Sequence, residues 1–191
     1  MLNRPKISVI IRTYNSEKSV CTAVNSALNQ TLGQKMYEVI IVDDGSTDDT
    51  LKVLKNRYGN KILIIRSIHQ GPAAASEIGI SKSKGDYVTF LDSDDEFLPG
   101  ILERILEEFE KDVSVDFVYC DYFEKYGRKV KKVSLKNNIF NSLACGIMFR
   151  KKVFNEVKFQ QKNMIFGEYD RLIRLMRSNK KGKHIANPLY I

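Results

Sequence analysis

Histidine is scarce, with only His69 and His184, and cysteine is nearly as rare, with Cys21, Cys120 and Cys145. Two histidines exclude a histidine-rich metal centre, and any Ser-His-Asp machinery has to rest on one of them. The thiols are odd in number, far apart in sequence and set among apolar neighbours. They read as reduced, mostly buried side chains of an intracellular protein rather than as a disulfide frame. No apolar run approaches the length of a membrane span, and the opening MLNRPKISVIIRTYN lacks the cleavage-site pattern of a secretory leader. Internal repeats and low-complexity tracts are also missing. So are aromatic-rich RNA motifs and zinc-finger spacings, and nucleic acid is not expected as a partner.

What is present is an ordinary globular composition. The chain has 191 residues, 43% hydrophobic and 28% charged, enough to bury a core as a single domain over residues 1–191. The net charge is +8, and part of the excess lies in YGRKVKK (126–132) and RSNKKGKH (177–184). A basic balance favours polyanionic partners, including anionic lipid and phosphate-bearing substrates, although most of these lysines read as solvated surface.

Strand and helix signals alternate four times over the first part of the chain. Compact β-branched runs at 6–12, 37–44, 61–66 and 86–91 read as buried strands. The segments 16–31, 46–59, 72–85 and 99–112 read as helices, the second capped by Ser46 or Thr47 and the third opened by Pro72 and closed by Gly85. This pattern predicts an α/β fold built on a mostly parallel sheet with helices on both faces. The rest reads as a smaller mixed or antiparallel portion: a hairpin over 115–135, strand then helix over 144–157, a helix over 167–180 and a last strand over 183–191.

Ligands of open parallel sheets bind beyond the carboxyl ends of the strands. Three of those ends carry chemistry here: Arg12, Thr13, Tyr14 and Asn15; then Asp43 and Asp44; then Asp92, Ser93, Asp94 and Asp95. Crowded carboxylates with neither histidine nor thiolate among them suit a hard divalent cation, Mg2+ or Mn2+, bridging the phosphates of a nucleoside diphosphate. A twelve-residue calcium loop is excluded, because Phe97 stands where the turn needs glycine. An aspartyl-phosphate phosphatase with Asp92 as nucleophile is a distant alternative, since no partner lysine and second acidic pair are evident.

The motifs ISVIIRTYN, VIIVDDGSTDDT, GPAAASEIGI and GDYVTFLDSDDEFLPGILE occur in this order at close spacing. Together they resemble the nucleotide-binding half of family 2 glycosyltransferases of the GT-A fold, strongly over 6–110 and weakly over 144–180. The resemblance implies a nucleotide-sugar-binding half over 1–112 and an acceptor-binding half over 113–191. It implies that Thr13 and Tyr14, joined by Glu17, line the base and ribose, and that Asp43 accepts a hydrogen bond from the base, which favours a uracil imide. Asp92 matches the first acid of the DxD motif, near ribose and metal. Ser93 belongs with the nucleotide-sugar contacts, and Asp94 matches the acid that binds Mg2+ or Mn2+ directly. Glu168, in GEYDRLIRL, falls at the catalytic base and Asp170 at the second acid.

The activity so implied is metal-dependent, inverting transfer of a sugar from a nucleotide-diphospho-sugar, UDP favoured, to a glycan or lipid-linked acceptor. The location implied is cytoplasmic, with peripheral contact at the inner face of the membrane. The sequence also departs from the family. Arg12 stands in place of the usual proline, His69 in place of a frequent asparagine, and Ala75-Ser76-Glu77 in place of A-R-N. Loss of that arginine weakens phosphate contacts unless Arg12 substitutes for it. The chain ends at Ile191, where the family continues with a loop over the acceptor site. A sequence cut short, or a module that binds nucleotide-sugar without transferring it, is the alternative this leaves open.

Overall fold

The computed structural model describes residues 4–136, 145–157 and 173–191. The first part contains β1 (Ile7–Thr13), α1 (Val20–Leu28), β2 (Tyr37–Asp43), α2 (Thr50–Tyr58), β3 (Leu63–Arg66), α3 (Pro72–Lys82), β4 (Tyr87–Asp92) and α4 (Ile101–Lys111). The later part adds β5 (Phe117–Tyr126), β6 (Lys129–Val133), β7 (Ile147–Arg150), a short α5 (Val153–Glu156) and β8 (Gly182–Pro188). The strands make one sheet in the order β3-β2-β1-β4-β7-β5-β6, and β8 pairs with β5.

Every residue of β1 is buried, as expected of a central strand covered on both faces. Alternation along the strand sends Val9 and Ile11 into a core with Ala23 and Val24 of α1 and Leu102 and Ile105 of α4. Ile10 points to the other face, against Ala75 and Ile80 of α3. A Cβ at Gly79 would lie 2.5 Å from Ile10 Cγ2, so glycine is what lets α3 approach β1 this closely. On α4, Ile101, Leu102, Ile105, Leu106 and Phe109 are all buried. Each such side chain stabilises by about 1.5–3 kcal/mol relative to exposure.

β1 is parallel to β2 and β4, and β2 is parallel to β3. β7 runs antiparallel to both β4 and β5, and β6 antiparallel to β5. From β1 the chain moves to β2 and β3 on one side, then returns to β4 on the other. The carboxyl ends of β1 and β4 are therefore neighbours where the strand order reverses, which is where open α/β sheets form their ligand crevice. The register places Thr13 beside Asp43 and Arg12 beside Asp92.

Several local expectations are corrected. α1 begins at Val20 rather than at residue 16, because the Ser16 carbonyl accepts the N–H groups of Ser19 and Val20 in a preceding turn. α2 begins at Thr50 with Asp49 at its cap. Ser46 does not cap it, because its hydroxyl accepts the Asn15 N–H of the loop after β1. α3 ends at Lys82, ahead of Gly85. β8, whose direction the sequence left open, runs parallel to β5, which makes the later portion mixed. Of the helix expected over 167–180, the described part is helical over 173–177.

Candidate active site

The loop after β1 is fastened to the loop after β2. Asn15 takes a positive φ of 49°, tolerable because its short side chain bonds locally. Its Oδ1 accepts the Thr47 N–H at 2.8 Å. The Ser16 N–H donates to Thr50 Oγ1 at 2.8 Å, and the Asp44 N–H to the Thr13 carbonyl at 2.9 Å. These bonds hold Tyr14 at the crevice, 43% exposed. Its ring stacks on His69 with centroids 4.0 Å apart. Thr13 is buried, and its hydroxyl has no hydrogen-bond partner among the described residues.

The paired acids of β2 divide their work. Asp43 is fully buried, with each oxygen 3.3 Å from the Ser46 N–H and one 3.7 Å from Arg66 Nε. Contacts this long leave acceptor capacity on the carboxylate. Asp44 is a buried organiser of the loop before α3. It accepts the N–H groups of Gln70 at 3.0 Å and Gly71 at 2.8 Å, and His69 Nδ1 lies 3.0 Å from Oδ2. Sequence reasoning gave Asp44 no task of its own; its partners lie on a loop more than twenty residues away. Glu17 sits at the rim, where its carboxylate accepts the Asp49 N–H at 3.0 Å and so serves the start of α2.

At the end of β4, Asp92 forms an ion pair with the buried Arg12. Arg12 Nη1 is also 3.4 Å from Ser76 Oγ, and the guanidinium carbon lies 5.7 Å from the Phe90 ring centroid. Arg12 is thus enclosed beneath the acids as a counter-charge to Asp92. The Asp92 N–H donates to Cys145 Sγ at 3.2 Å, and the Cys145 thiol lies 3.5 Å from Asp92 Oδ2. Ser93 and Ser16 share a hydroxyl–hydroxyl bond of 2.8 Å. Asp94 is exposed. Burial pushes the Asp95 carboxyl up to about 6, against a hydrogen bond from Cys145, and the charges of Asp92 and Asp94 add to the rise.

The acids therefore hold more negative charge than Arg12 neutralises. Asp92, Asp95 and Cys145 each offer an atom within 4.8 Å of the others. Burial, followed by the nearby carboxylates, pushes the Cys145 thiol well above its usual value. The carboxylate oxygens of Asp92 and Asp95 are donors that suit a hard cation.

Two clefts meet at this edge. One is lined by Tyr14, Ser16, Glu17, Asp48, Ser93 and Asp94. The other, about 440 Å³, is lined by Asp94, Asp95, Glu96, Tyr122, Tyr126 and Tyr190. Asp94 belongs to both. Thr13, Tyr14, Glu17, Asp43, Asp92, Ser93 and Asp94 are all brought to this one edge of the sheet. Glu168 and Asp170 lie outside the described residues.

A GT-A fold with acids at the β1–β4 crevice defines the class, and the comparisons fix the family. Residues 8–166 match the profile described as glycosyl transferase family 2. Chondroitin synthase of Escherichia coli is 42% identical over 117 residues, 60% of this chain and 17% of that protein. The GalNAc(5)-diNAcBac-PP-undecaprenol beta-1,3-glucosyltransferase of Campylobacter jejuni is 35% identical over 136 residues, 69% of this chain and 43% of that one. S. aureus TarS 1-349 in complex with UDP superposes with a TM-score of 0.81 at 25% identity, over 97% of this chain and 59% of that structure. The chain belongs to glycosyl transferase family 2, and it spans less than two thirds of each of these proteins. Fold and family leave the phosphatase alternative without support.

Proposed function

We propose that the chain transfers a sugar from a UDP-sugar to a hydroxyl of a glycan or lipid-linked acceptor, with inversion at the anomeric carbon. The observation that carries this reading is the position of Asp94, an exposed carboxylate shared by two clefts at the strand-order reversal. A donor in the Tyr14 cleft and an acceptor in the Tyr122 cleft come together there. The UDP complex of TarS, a relative in fold and sequence, supports the choice of nucleotide.

Each residue has a task. Tyr14, backed by His69, offers its ring to the base, and Asp43 accepts the base imide N–H from below. The Thr13 hydroxyl, without a partner among the described residues, bonds the nucleoside, since a buried hydroxyl gains most from a partner. Glu17 and Ser93 shape the ribose side. Asp94, with Asp92 beside it, would hold Mg2+ or Mn2+. When bound, the cation supplies positive charge opposite the departing diphosphate. Glu168 is assigned to remove the acceptor proton, a role contributing roughly a hundred- to ten-thousandfold.

Calorimetric titration with UDP, GDP and TDP, each with and without Mn2+, tests the donor assignment. Binding of UDP that depends on Mn2+ and exceeds that of GDP is expected. Absence of binding by all three would overturn the reading.

A further inference from the structure

The sheet has a second edge, opposite the catalytic one. β4 and β5 both run antiparallel to β7, and β8 runs parallel to β5. The amino ends of β1, β4, β5 and β8 and the carboxyl end of β7 therefore share this edge. The segments entering and leaving it carry Arg4, Lys84, Lys151, Lys152, Lys180 and Lys181, against Asp86, Asp112, Asp116 and Glu156. The acids are engaged. Arg4 pairs with Asp86 at 3.1 Å, Lys181 with Asp112 at 2.8 Å, and Lys180 with Glu156. Asp116 accepts the Lys181 N–H at 3.0 Å. Lys84 and Lys152 are exposed and have no ion pair among the described residues. A cleft of about 400 Å³ opens here, lined by Arg4, Asp86, Val113, Lys151, Lys152 and Asn155. Val113 is 81% exposed. A lone exposed valine is ordinary on a protein surface, but this one stands at the lip of a cationic cleft.

We propose that this edge docks on an anionic lipid bilayer, with a lipid phosphate in the cleft, Val113 at headgroup depth and the catalytic edge turned away from the membrane. Lysine and arginine are drawn to an anionic leaflet within about a Debye length of it. An apolar side chain among them adds contact with the headgroup and acyl boundary. The catalytic acids do not oppose this. β4 has six residues, so at about 3.3 Å each its acids stand roughly 20 Å beyond the basic edge. That is about twice the Debye length in physiological salt. Nucleic acid fits less well, because the Tyr87 and Phe109 rings at this edge lie under the Arg150 guanidinium, whose carbon is 5.3 and 5.0 Å from their centroids. Covered rings are not open to stack with bases. Docking by this edge is independent of what the donor cleft binds, and it leaves that cleft open to water. An acceptor hydroxyl then has to stand off the bilayer by about the depth of the sheet, as the end of an extended glycan does.

The chain contains no tryptophan, so Val113→Trp supplies a single fluorescent reporter. The full chain is sedimented with phosphatidylglycerol–phosphatidylcholine vesicles and with pure phosphatidylcholine vesicles, and UDP affinity is measured with Mn2+ on and off the vesicles. The anionic vesicles are expected to bind at least tenfold more tightly, with the difference lost at high salt. The tryptophan should shift to the blue and be quenched by brominated lipid. Lys84→Glu with Lys152→Glu should weaken vesicle binding at least tenfold. Lys125→Glu with Lys129→Glu, on the β5–β6 hairpin at the other edge, removes the same charge and should weaken it less than threefold. All four lysines are exposed, so both double variants should melt with the wild type. UDP affinity should agree within twofold on and off the vesicles. Equal weakening by the two double variants overturns the surface in favour of net charge alone. Vesicle binding that leaves the tryptophan unquenched places the contact elsewhere and overturns it too. Loss of UDP binding on vesicles overturns the orientation. Tighter binding of a DNA oligonucleotide than of anionic vesicles at the same salt overturns the lipid. Docking as expected by a chain that never binds UDP supports this inference and removes the donor reading alone.

Discussion

Substituting Arg12 distinguishes a buried counter-charge from a substrate contact. Its side chain is 5% exposed and is paired with Asp92, whose side chain is 33% exposed. Arg12→Met keeps the length of the side chain and its packing on Phe90 and removes the charge. Removing one member of a fully buried pair costs about 3–5 kcal/mol. Asp92 is a third open to water, which screens the carboxylate left behind, so the expected loss is about 2 kcal/mol. In a chain of this size each kcal/mol moves the midpoint by roughly 2–4 °C, so melting should fall by about 4–8 °C. A second effect has the opposite sign. Without the guanidinium, Asp92, Asp94 and Asp95 hold their charge with less compensation, so Mn2+ alone should raise the melting temperature of the variant more than that of the wild type. Thermal unfolding followed by circular dichroism, with and without Mn2+, reads both effects. A variant that melts with the wild type and loses UDP affinity would refute the counter-charge role and make Arg12 a phosphate ligand.

Thr13→Val removes a buried hydroxyl that has no partner among the described residues. Urea unfolding should show stability unchanged to within about 1 kcal/mol, while UDP affinity falls about fivefold to tenfold. Gly146 has φ near 70°, and a Cβ there would run into the Tyr190 ring and lie 3.1 Å from Cys120 Sγ. Gly146→Ala should therefore cost about 2–4 kcal/mol in the same assay, and an unshifted midpoint would contradict the packing of Tyr190. Burial pushes the Cys120 thiol up to about 12 and the Cys145 thiol well above its usual value. At mildly alkaline pH a thiol reagent should therefore label the half-buried Cys21 alone in the native chain, and all three thiols in denaturant. Rapid native labelling of Cys145 would disprove its burial.

Much of the first part was legible because its signals are local. Ile101, Leu102, Ile105, Leu106 and Phe109 share one helical face in sequence, and that face is the one buried. The acids of β2 and β4 follow uninterrupted apolar runs, so their place at the carboxyl edge could be read directly. What could not be read depends on partners distant in the chain. Arg12 meets Asp92 across eighty positions, and Asp44 organises Gln70 and Gly71 through a contact that no periodicity encodes. Ser46 is a good helix-capping residue whose hydroxyl is taken instead by Asn15. The direction of β8 was illegible for the same reason, being settled by the sheet edge it joins. The departure at His69 was visible as an odd residue, but its stacking on Tyr14 needed the fold to bring the two loops together.

The role of Asp94 is open to a single calorimetric comparison: UDP titrated into wild type and Asp94→Asn, each with saturating Mn2+ and each with chelator. The wild type should bind at least tenfold more tightly with Mn2+ than without. Asp94→Asn should bind weakly and to the same extent in both conditions, while melting as the wild type does because the side chain is exposed. Undiminished, Mn2+-dependent UDP binding by Asp94→Asn would contradict the assignment of this carboxylate to the cation.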